Sequence, residues 1–414
     1  MQQSIFWRSL TLAAALALAQ PVLAQARDEG LLQAATAEQG PLLDTLQRLV
    51  NIETGTGQAE GLAAIEDVLE AQLKALGATV TRHPASGKVV GDNLVARFTG
   101  RGGRRLLLMA HQDTVYVKGT LARNPWHVEG RKAYGPGIAD DKGGMALILH
   151  TLRLLQARGF DDYGSITVSF NVDEEKGSAG SRELIQSLAR EADHVLSFEP
   201  ASALREDLIY GTSGIARIEA RFKGRAAHAG VAPEQGVNAL TEAADFILRT
   251  QDLDHKEQGL RFNWTIAQAG AVANIIPDEA TLVADLRFAR NEDIDATLAR
   301  LRDLAARPRL PDSHIEIKVL GTRPAFNATP EGRQMIDQAR AIYREVGVDL
   351  PVVERGGGGT DAAYAALSGK PVMEGLGLPG FGYHSNQAEY IDLDAVPRRL
   401  YLAARLIMTL GRPH

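Results

Sequence analysis

The sequence predicts an α/β protein: a mostly parallel sheet with helices on both faces, plus an inserted α+β domain. Three observations predict it. Short apolar runs bounded by turn residues alternate with helical stretches, the pattern of strand–helix–strand units. The run 106–110, Leu-Leu-Leu-Met-Ala, is continuously apolar, as a strand buried on both faces must be. Between about residues 212 and 321 the texture changes. There, 215–222 and 280–288 alternate apolar with polar residues, as half-exposed antiparallel strands do.

The elements follow in chain order. Arg8 is the only charge before an apolar run over 10–19, which Pro21 breaks ahead of Val22-Leu23-Ala24. That is the layout of a secretory signal peptide, 1–24, with cutting after Ala24 or Ala26. The run is shorter than the ~20 residues a membrane span needs. A helix is expected over 41–50, where Leu42, Leu43, Leu46, Leu49 and Val50 share a face, and a second over 62–76, stopped by Gly77. Strands are expected at 89–90, 93–98 and 105–110. A helix then begins near Asp141 and ends at Gly159, and strands follow at 166–172 and 195–198. A helix at 238–249 belongs to the inserted domain. Helices at 333–346 and 396–410 close the chain. The expected division is a domain of 25–212 and 324–414, interrupted by an inserted domain of 213–323.

Composition narrows the function. At 414 residues the chain exceeds one ordinary core. Its formal net charge of -6 leaves no basic excess to neutralise phosphates, which argues against a nucleic-acid partner. The absence of cysteine removes disulfides, thiol nucleophiles and thiolate metal ligands together. A metal site must therefore be built from histidine and carboxylate.

Such residues stand directly after the expected buried strands. His111-Gln112-Asp113 follows the first, Asp173-Glu174-Glu175 the second, and Glu199 the third. Asp140-Asp141 closes a loop containing Gly135, Pro136 and Gly137, and His384 sits in a Gly-Tyr-His-Ser segment. Ligands in α/β sheets bind at the carboxyl ends of the strands. Acids gathered there repel one another and call for cations. Imidazole with carboxylates suits a divalent metal. Taken singly, each acidic pair is accounted for by a solvated turn or a helix cap.

In combination, the segments His111-Gln112-Asp113-Thr114-Val115, Tyr134 to Gly144, Asp173 to Ser178, Phe198-Glu199-Pro200 and His384 resemble the zinc-dependent exopeptidase family of glutamate carboxypeptidases, aminoacylases and dipeptidases. The similarity is greatest to its bacterial folate-hydrolysing glutamate carboxypeptidases and runs over nearly the whole mature chain. It implies two Zn2+ ions per subunit: His111 and Glu199 on one, Glu175 and His384 on the other, and Asp140 bridging. It also implies that Asp113 holds the His111 imidazole and that Glu174 is the general base. Gln112 stands where the related proteins carry an apolar residue, and its side chain should point away from the metals.

The inserted domain adds further matches. His228, in Gly224-Arg225-Ala226-Ala227-His228-Ala229-Gly230, resembles the family histidine that stabilises an oxyanion, supplied across a homodimer in many relatives. Asn274, before Ile275-Ile276-Pro277, and Arg287 also match, and Arg287 suits a substrate's terminal carboxylate because guanidinium offers two parallel donors. Arg323 is a weaker candidate for such a contact, a surface arginine being the simpler reading. The run Gly356 to Gly359 before Thr360 lacks the lysine of a phosphate loop. The resemblance makes Gly359 and Thr360 part of a substrate-lining loop instead. Segment 205–210 departs from the folate-hydrolysing relatives, which leaves aminoacylase or dipeptidase activity as the alternative. The expected partner is a small molecule or peptide with a free carboxylate, met outside the cytoplasm by an exported protein, periplasmic or secreted. A catalytically dead binding protein is disfavoured, because every implied ligand and the base are present.

Overall fold

A computed structural model of the protein describes residues 27–413. The signal-peptide reading of 1–24 lies outside the described residues. The chain opens with three helices, α1 (Glu29–Ala37), α2 (Gln39–Val50) and α3 (Ala59–Ala75). Strands β1 (Thr79–Pro84), β2 (Asp92–Thr99) and β3 (Arg105–His111) follow. Next come α4 (Lys142–Ala157), β4 (Ser165–Asn171), α5 (Arg182–Glu191) and β5 (His194–Ser197).

The second texture is built from β6 (Gly214–Lys223), α6 (Ala239–Arg249), β7 (Arg261–Ala269), β8 (Glu279–Phe288), α7 (Glu292–Ala305) and β9 (His314–Arg323). The chain ends with α8 (Pro330–Glu345), β10 (Val372–Met373) and α9 (Val396–Leu410).

The main sheet has six strands in the order β1-β2-β4-β3-β5-β10. Its four central and outer strands β4, β3, β5 and β10 run parallel, while β1 and β2 are antiparallel. Strand β3 is covered on both sides. Leu106, Leu108 and Ala110 enter a core shared with α1, α2, α4 and α9, while Leu107 and Met109 enter another with α5 and residues 362–365. Successive side chains of a strand point to opposite faces, so double coverage demands an unbroken apolar run. Each leucine so buried contributes about 1.5–3 kcal/mol. The result is a rigid platform whose carboxyl edge presents His111.

Strands β6 to β9 form a separate antiparallel sheet, ordered β7-β8-β6-β9. Its own core draws every buried member from residues 216–325, including Phe222, Phe246 and Phe288. A small third sheet gathers His127–Glu129, Lys132–Tyr134, Tyr390–Asp392, Pro379–Phe381 and Ala201–Ser202 at the edge of the platform.

One expectation fails here. Val89 and Val90 are not a strand; they lie in the turn between β1 and β2, and Val90 is 40% exposed. The turn requires Gly91, whose φ of +104° is open to glycine. The strand that does form, β1, is half-exposed and carries no apolar run to announce it.

Candidate metal centre

Three strand ends meet at one place. His111 is the last residue of β3, Glu174 and Glu175 occupy a tight turn just after β4, and Glu199 follows β5. The loop from Gly135 brings Asp140, and His384 arrives from the segment after Phe381. Donor atoms of His111, Asp140 and Glu199 all lie within 4.8 Å of one another, as do those of Asp140, Glu175 and His384. Asp140 belongs to both groups. Its Oδ1 is 2.9 Å from His111 Nε2, and its Oδ2 is 3.2 Å from His384 Nε2. Glu175 Oε2 is 3.0 Å from His384 Nε2, and Glu199 Oε1 is 3.7 Å from His111 Nε2.

The electrostatics are those of an acid cluster. Burial drives the Glu199 carboxyl well above its ordinary range and raises Glu175 too. Asp140 goes the other way: burial opposes it, but the hydrogen bonds of His111 and His384 pull it down. Those same bonds from Asp140 and Glu175 push His384 up to about 10. At His111 burial disfavours the cation, yet Glu199, Asp113 and Asp140 outweigh it and raise the imidazole. Glu175 Oε1 is buried and has no hydrogen-bond partner among the described residues. Each group offers one imidazole and two carboxylates, the ligand chemistry of a catalytic divalent-metal site with an open position. The residues present therefore fit a pair of metal ions sharing Asp140.

The orientation of His111 is fixed from behind. Its Nδ1 lies 3.0 Å from the backbone carbonyl of Asp113 and 3.4 Å from that residue's carboxylate. A carbonyl only accepts, so Nδ1 carries the proton and Nε2 is left as the ligand atom. The expected support from Asp113 is thus led by its backbone. Its carboxylate instead accepts the N–H groups of Glu174 at 3.0 Å and Glu175 at 3.2 Å, and the hydroxyl of Thr56 at 2.7 Å. Gln112 turns away, donating to the carbonyls of Asp92 and Phe170.

Glu174 and Glu175 diverge. Glu175 faces His384, whereas Glu174 forms a buried ion pair with Arg323. Burial pushes the Glu174 carboxyl up to about 8, and the Arg323 guanidinium opposes that rise. Arg323 is therefore not a surface arginine. It is 6% exposed, also donates to Glu174 O, Gly359 O at 3.2 Å and Ser178 Oγ at 3.4 Å, and lies 3.6 Å from Asp361. A buried guanidinium needs such partners, and no sequence pattern around Arg323 betrays them.

The remaining candidates sit on or beside the second sheet. Arg287 is part-exposed, braced by Asp285 at 2.8 and 3.1 Å, and donates to Gly357 O at 3.4 Å. The glycine run therefore lies against both arginines, and a Cβ on Gly359 would come 2.9 Å from the Arg323 side chain. Thr360 Oγ1 is buried nearby. His228 and Asn274 lie at a small two-stranded antiparallel sheet of Ala227–His228 with Ile275–Ile276, where Ala229 N donates to Asn274 O. His228 is exposed, and its Nδ1 accepts from Gly230 N and Val231 N, each at 3.2 Å, so its Nε2 carries the free N–H. Neither joins the two donor groups in this chain.

Sequence reasoning missed Glu389. Its carboxylate is 3% exposed and accepts four bonds: Tyr116 Oη at 2.6 Å, Gly137 N at 2.8 Å, Ala139 N at 2.8 Å and Asp140 N at 3.0 Å. Burial pushes its pKa up to about 7. Three of those donors are backbone N–H groups that cannot accept, so the cage favours the ionised form against the rise that burial causes.

A sheet edge that presents two donor groups sharing one aspartate fits the site of a divalent-metal enzyme. Residues 107–409 match Peptidase family M20/M25/M40, and the chain belongs to that family. It is 62% identical over 394 residues to Carboxypeptidase G2 of Pseudomonas sp. (strain RS-16), covering 95% of each chain. In fold it is similar to aminopeptidase PepT of Bacillus cereus (TM-score 0.77, 24% identity, 90% of this chain and 99% of that one). It is also similar to human carnosine dipeptidase 1 (TM-score 0.66, 16% identity, 92% and 99%). The chain is accordingly a metallopeptidase of the carboxypeptidase type.

Proposed function

We propose that this enzyme releases a C-terminal glutamate from N-acyl-glutamates, folates among them, with two zinc ions bridged by Asp140. The observation that carries the reading is the pair of three-donor groups sharing that aspartate. His111 and Glu199 would hold one ion, Glu175 and His384 the other. Bound there, the metals would supply Lewis-acid activation of water and of the scissile carbonyl. Glu174 accepts the proton of the attacking water and delivers it to the leaving nitrogen as the C–N bond breaks. Asp113 keeps the His111 tautomer and the Glu174–Glu175 turn in register. Arg287 receives the substrate's free carboxylate, beside Arg323, Asn274, Gly359 and Thr360.

The segment 213–323 acts as an inserted dimerisation domain. In support, exposed Val231, Leu240, Leu248, Ile266, Val272 and Ile275 all belong to it. Through the dimer, His228 of one subunit stabilises the oxyanion at the other's centre. The protein works outside the cytoplasm after losing residues 1–24. None of the helices among the described residues is long and apolar enough to cross a membrane.

The test is to give the zinc-supplied mature protein a folate and N-acyl derivatives of several amino acids, and to assay the amino acid released. Glutamate release that a chelator stops is expected. Preferential release of another amino acid would keep the metal chemistry and move the enzyme to the aminoacylases or dipeptidases.

A further inference from the structure

One buried acid close to Glu174 has no part in the chemistry above. Asp361 ends the loop that begins with the glycine run, at the start of the short helix Ala362–Ala366, and is 3% exposed. Its side chain makes no capping bond to that helix. It accepts instead from the amide of Asn171 at 2.7 Å and from the hydroxyl of Ser178. Asn171 is the last residue of β4, and Ser178 stands just beyond the turn Glu174–Lys176. One carboxylate therefore grips the turn of Glu174 and Glu175 at both ends.

Three separate elements meet at this carboxylate: the turn after β4, the end of β9 and the glycine loop. Asp361 Oδ1 is 3.6 Å from Arg323 Nη1, which pairs with Glu174 and donates to Gly359 O at 3.2 Å. Gly357 O, on the same loop, accepts from Arg287. The Tyr364 hydroxyl, one helical turn past Asp361, reaches the carbonyls of Gly177 at 3.0 Å and Thr322 at 3.2 Å. The grip also holds an unfavourable conformation. Ser178 has a φ of +57°, in the left-handed region that residues with a side chain avoid. Such a backbone persists only where its surroundings over-determine it. Here Asp361 holds the Ser178 hydroxyl, while Asp173 O holds its N–H at 2.9 Å.

We propose that Asp361 is a positioning residue: by gripping Asn171 and Ser178 it fixes the Glu174 carboxylate relative to the loop that meets Arg287. The assignment rests on Glu174 as the base and Arg287 as the substrate's anchor. Asp361 belongs to neither donor group and acts only through the turn. Its task matters because a base works within hydrogen-bond reach of its proton, and a misplacement of about 1 Å can cost about 100-fold in rate. The loop keeps its own bonds to Arg287 and Arg323, so loss of the grip frees the turn and leaves the anchor in place.

The test compares zinc-supplied wild type, Glu174→Gln, Asp361→Asn, Ser178→Gly and the Asp361→Asn/Ser178→Gly double variant on folate. It reads kcat, KM, bound zinc and the urea midpoint of each. Asp361→Asn keeps the shape and removes the charge. Glycine accepts the φ of Ser178, so Ser178→Gly loses only the hydroxyl and should fold. In Asp361→Asn kcat should fall about 10–100-fold, with KM within about threefold of wild type and zinc unchanged. Ser178→Gly should lose several-fold in kcat, and the double variant should be no slower than Asp361→Asn, because both changes open one grip. A lower urea midpoint with kcat within about twofold of wild type would show a merely structural role and overturn the assignment. Losses that multiply in the double variant, or zinc lost in step with kcat, would overturn it too. If Asp361→Asn does not fold, an unchanged kcat in Ser178→Gly has the same force. An active Glu174→Gln removes the base itself, whereas an inactive Glu174→Gln beside a fully active Asp361→Asn removes only the role of Asp361.

Discussion

The cage around Glu389 makes a demanding prediction for Glu389→Gln. The change is nearly isosteric, so packing is preserved and the effect isolates charge and hydrogen bonding. The carboxylate has four donors on it, two per oxygen. A glutamine must place its NH2 against one pair. Facing Ala139 and Asp140, it orphans two backbone N–H groups. Facing Tyr116 and Gly137, it orphans one, because the tyrosine hydroxyl can turn and accept. The second orientation wins. Its cost is one buried unsatisfied donor, about 1–3 kcal/mol, plus the weakening of the surviving bonds from charge-assisted to neutral. A total on the order of 3 kcal/mol follows. One of the donors is the N–H of Asp140 itself, so slack in the cage moves the carboxylate shared by the two donor groups. Losing such an outer support typically costs about 10–100-fold in metal affinity. Zinc affinity measured by competition with a chromophoric chelator, beside urea unfolding of the same samples, separates the two effects. If stability falls and zinc affinity stays within about twofold, the argument that the cage positions Asp140 is wrong.

Other predictions can be checked alongside. Glu174→Gln should lower kcat by about 10²–10⁴ while metal analysis still finds both ions; activity near wild type would take the base role from Glu174. Arg287→Gln should raise KM by roughly 10–100-fold for substrates with a free carboxylate, and Arg287→Lys should recover little of it, since lysine lacks the parallel fork. Full rescue by lysine would refute the bidentate clamp. The Arg105 guanidinium holds Asp193 at about 2, below its ordinary 3.8. A depressed carboxylate stabilises the fold above its unfolded pKa, and the gain disappears as pH falls from about 4 to about 2. Both side chains are partly exposed, at 51% and 32%, so Asp193→Asn should cost under ~1 kcal/mol at pH 6 and almost nothing at pH 2. Urea midpoints at the two pH values test this, and an equal loss at both would contradict it.

What the sequence reveals depends on how local the cause is. Strand β3 is legible because burial on both faces forces apolar residues at consecutive positions. The half-exposed β1 lacks that constraint, and its pairing with β2 depends on a turn at Gly91. The metal-binding candidates stand out because each follows a buried strand or closes a glycine-bearing loop. Glu389 does not, since its partners Gly137, Ala139 and Asp140 lie 252, 250 and 249 positions earlier. Nothing near residue 389 encodes that meeting. Arg323 fails for the same reason: between Thr322 and Pro324 it looks like surface, and only the approach of Glu174, Ser178 and Asp361 buries it.

Two adjacent glutamates proposed for opposite tasks need a device that points them apart, and the structure contains one. Asp113 grips the N–H groups of both residues with one carboxylate, which fixes the turn rather than either side chain. Its backbone carbonyl meanwhile sets the His111 ring, so the end of β3 and the turn after β4 share one register. With the turn fixed, side-chain direction is decided by partners: His384 draws Glu175 into the donor group, and Arg323 draws Glu174 out of it. Arg323 is the last residue of β9, the strand that leaves the second sheet. The side chain argued to move the proton is therefore held by the unit argued to bind the substrate's carboxylate. Any shift of that sheet against the platform must also change the environment of Glu174. The buried ion pair is costly to desolvate and gives little net stability. Its value lies in direction: it keeps an acid of raised pKa out of the two donor groups while leaving it one residue away.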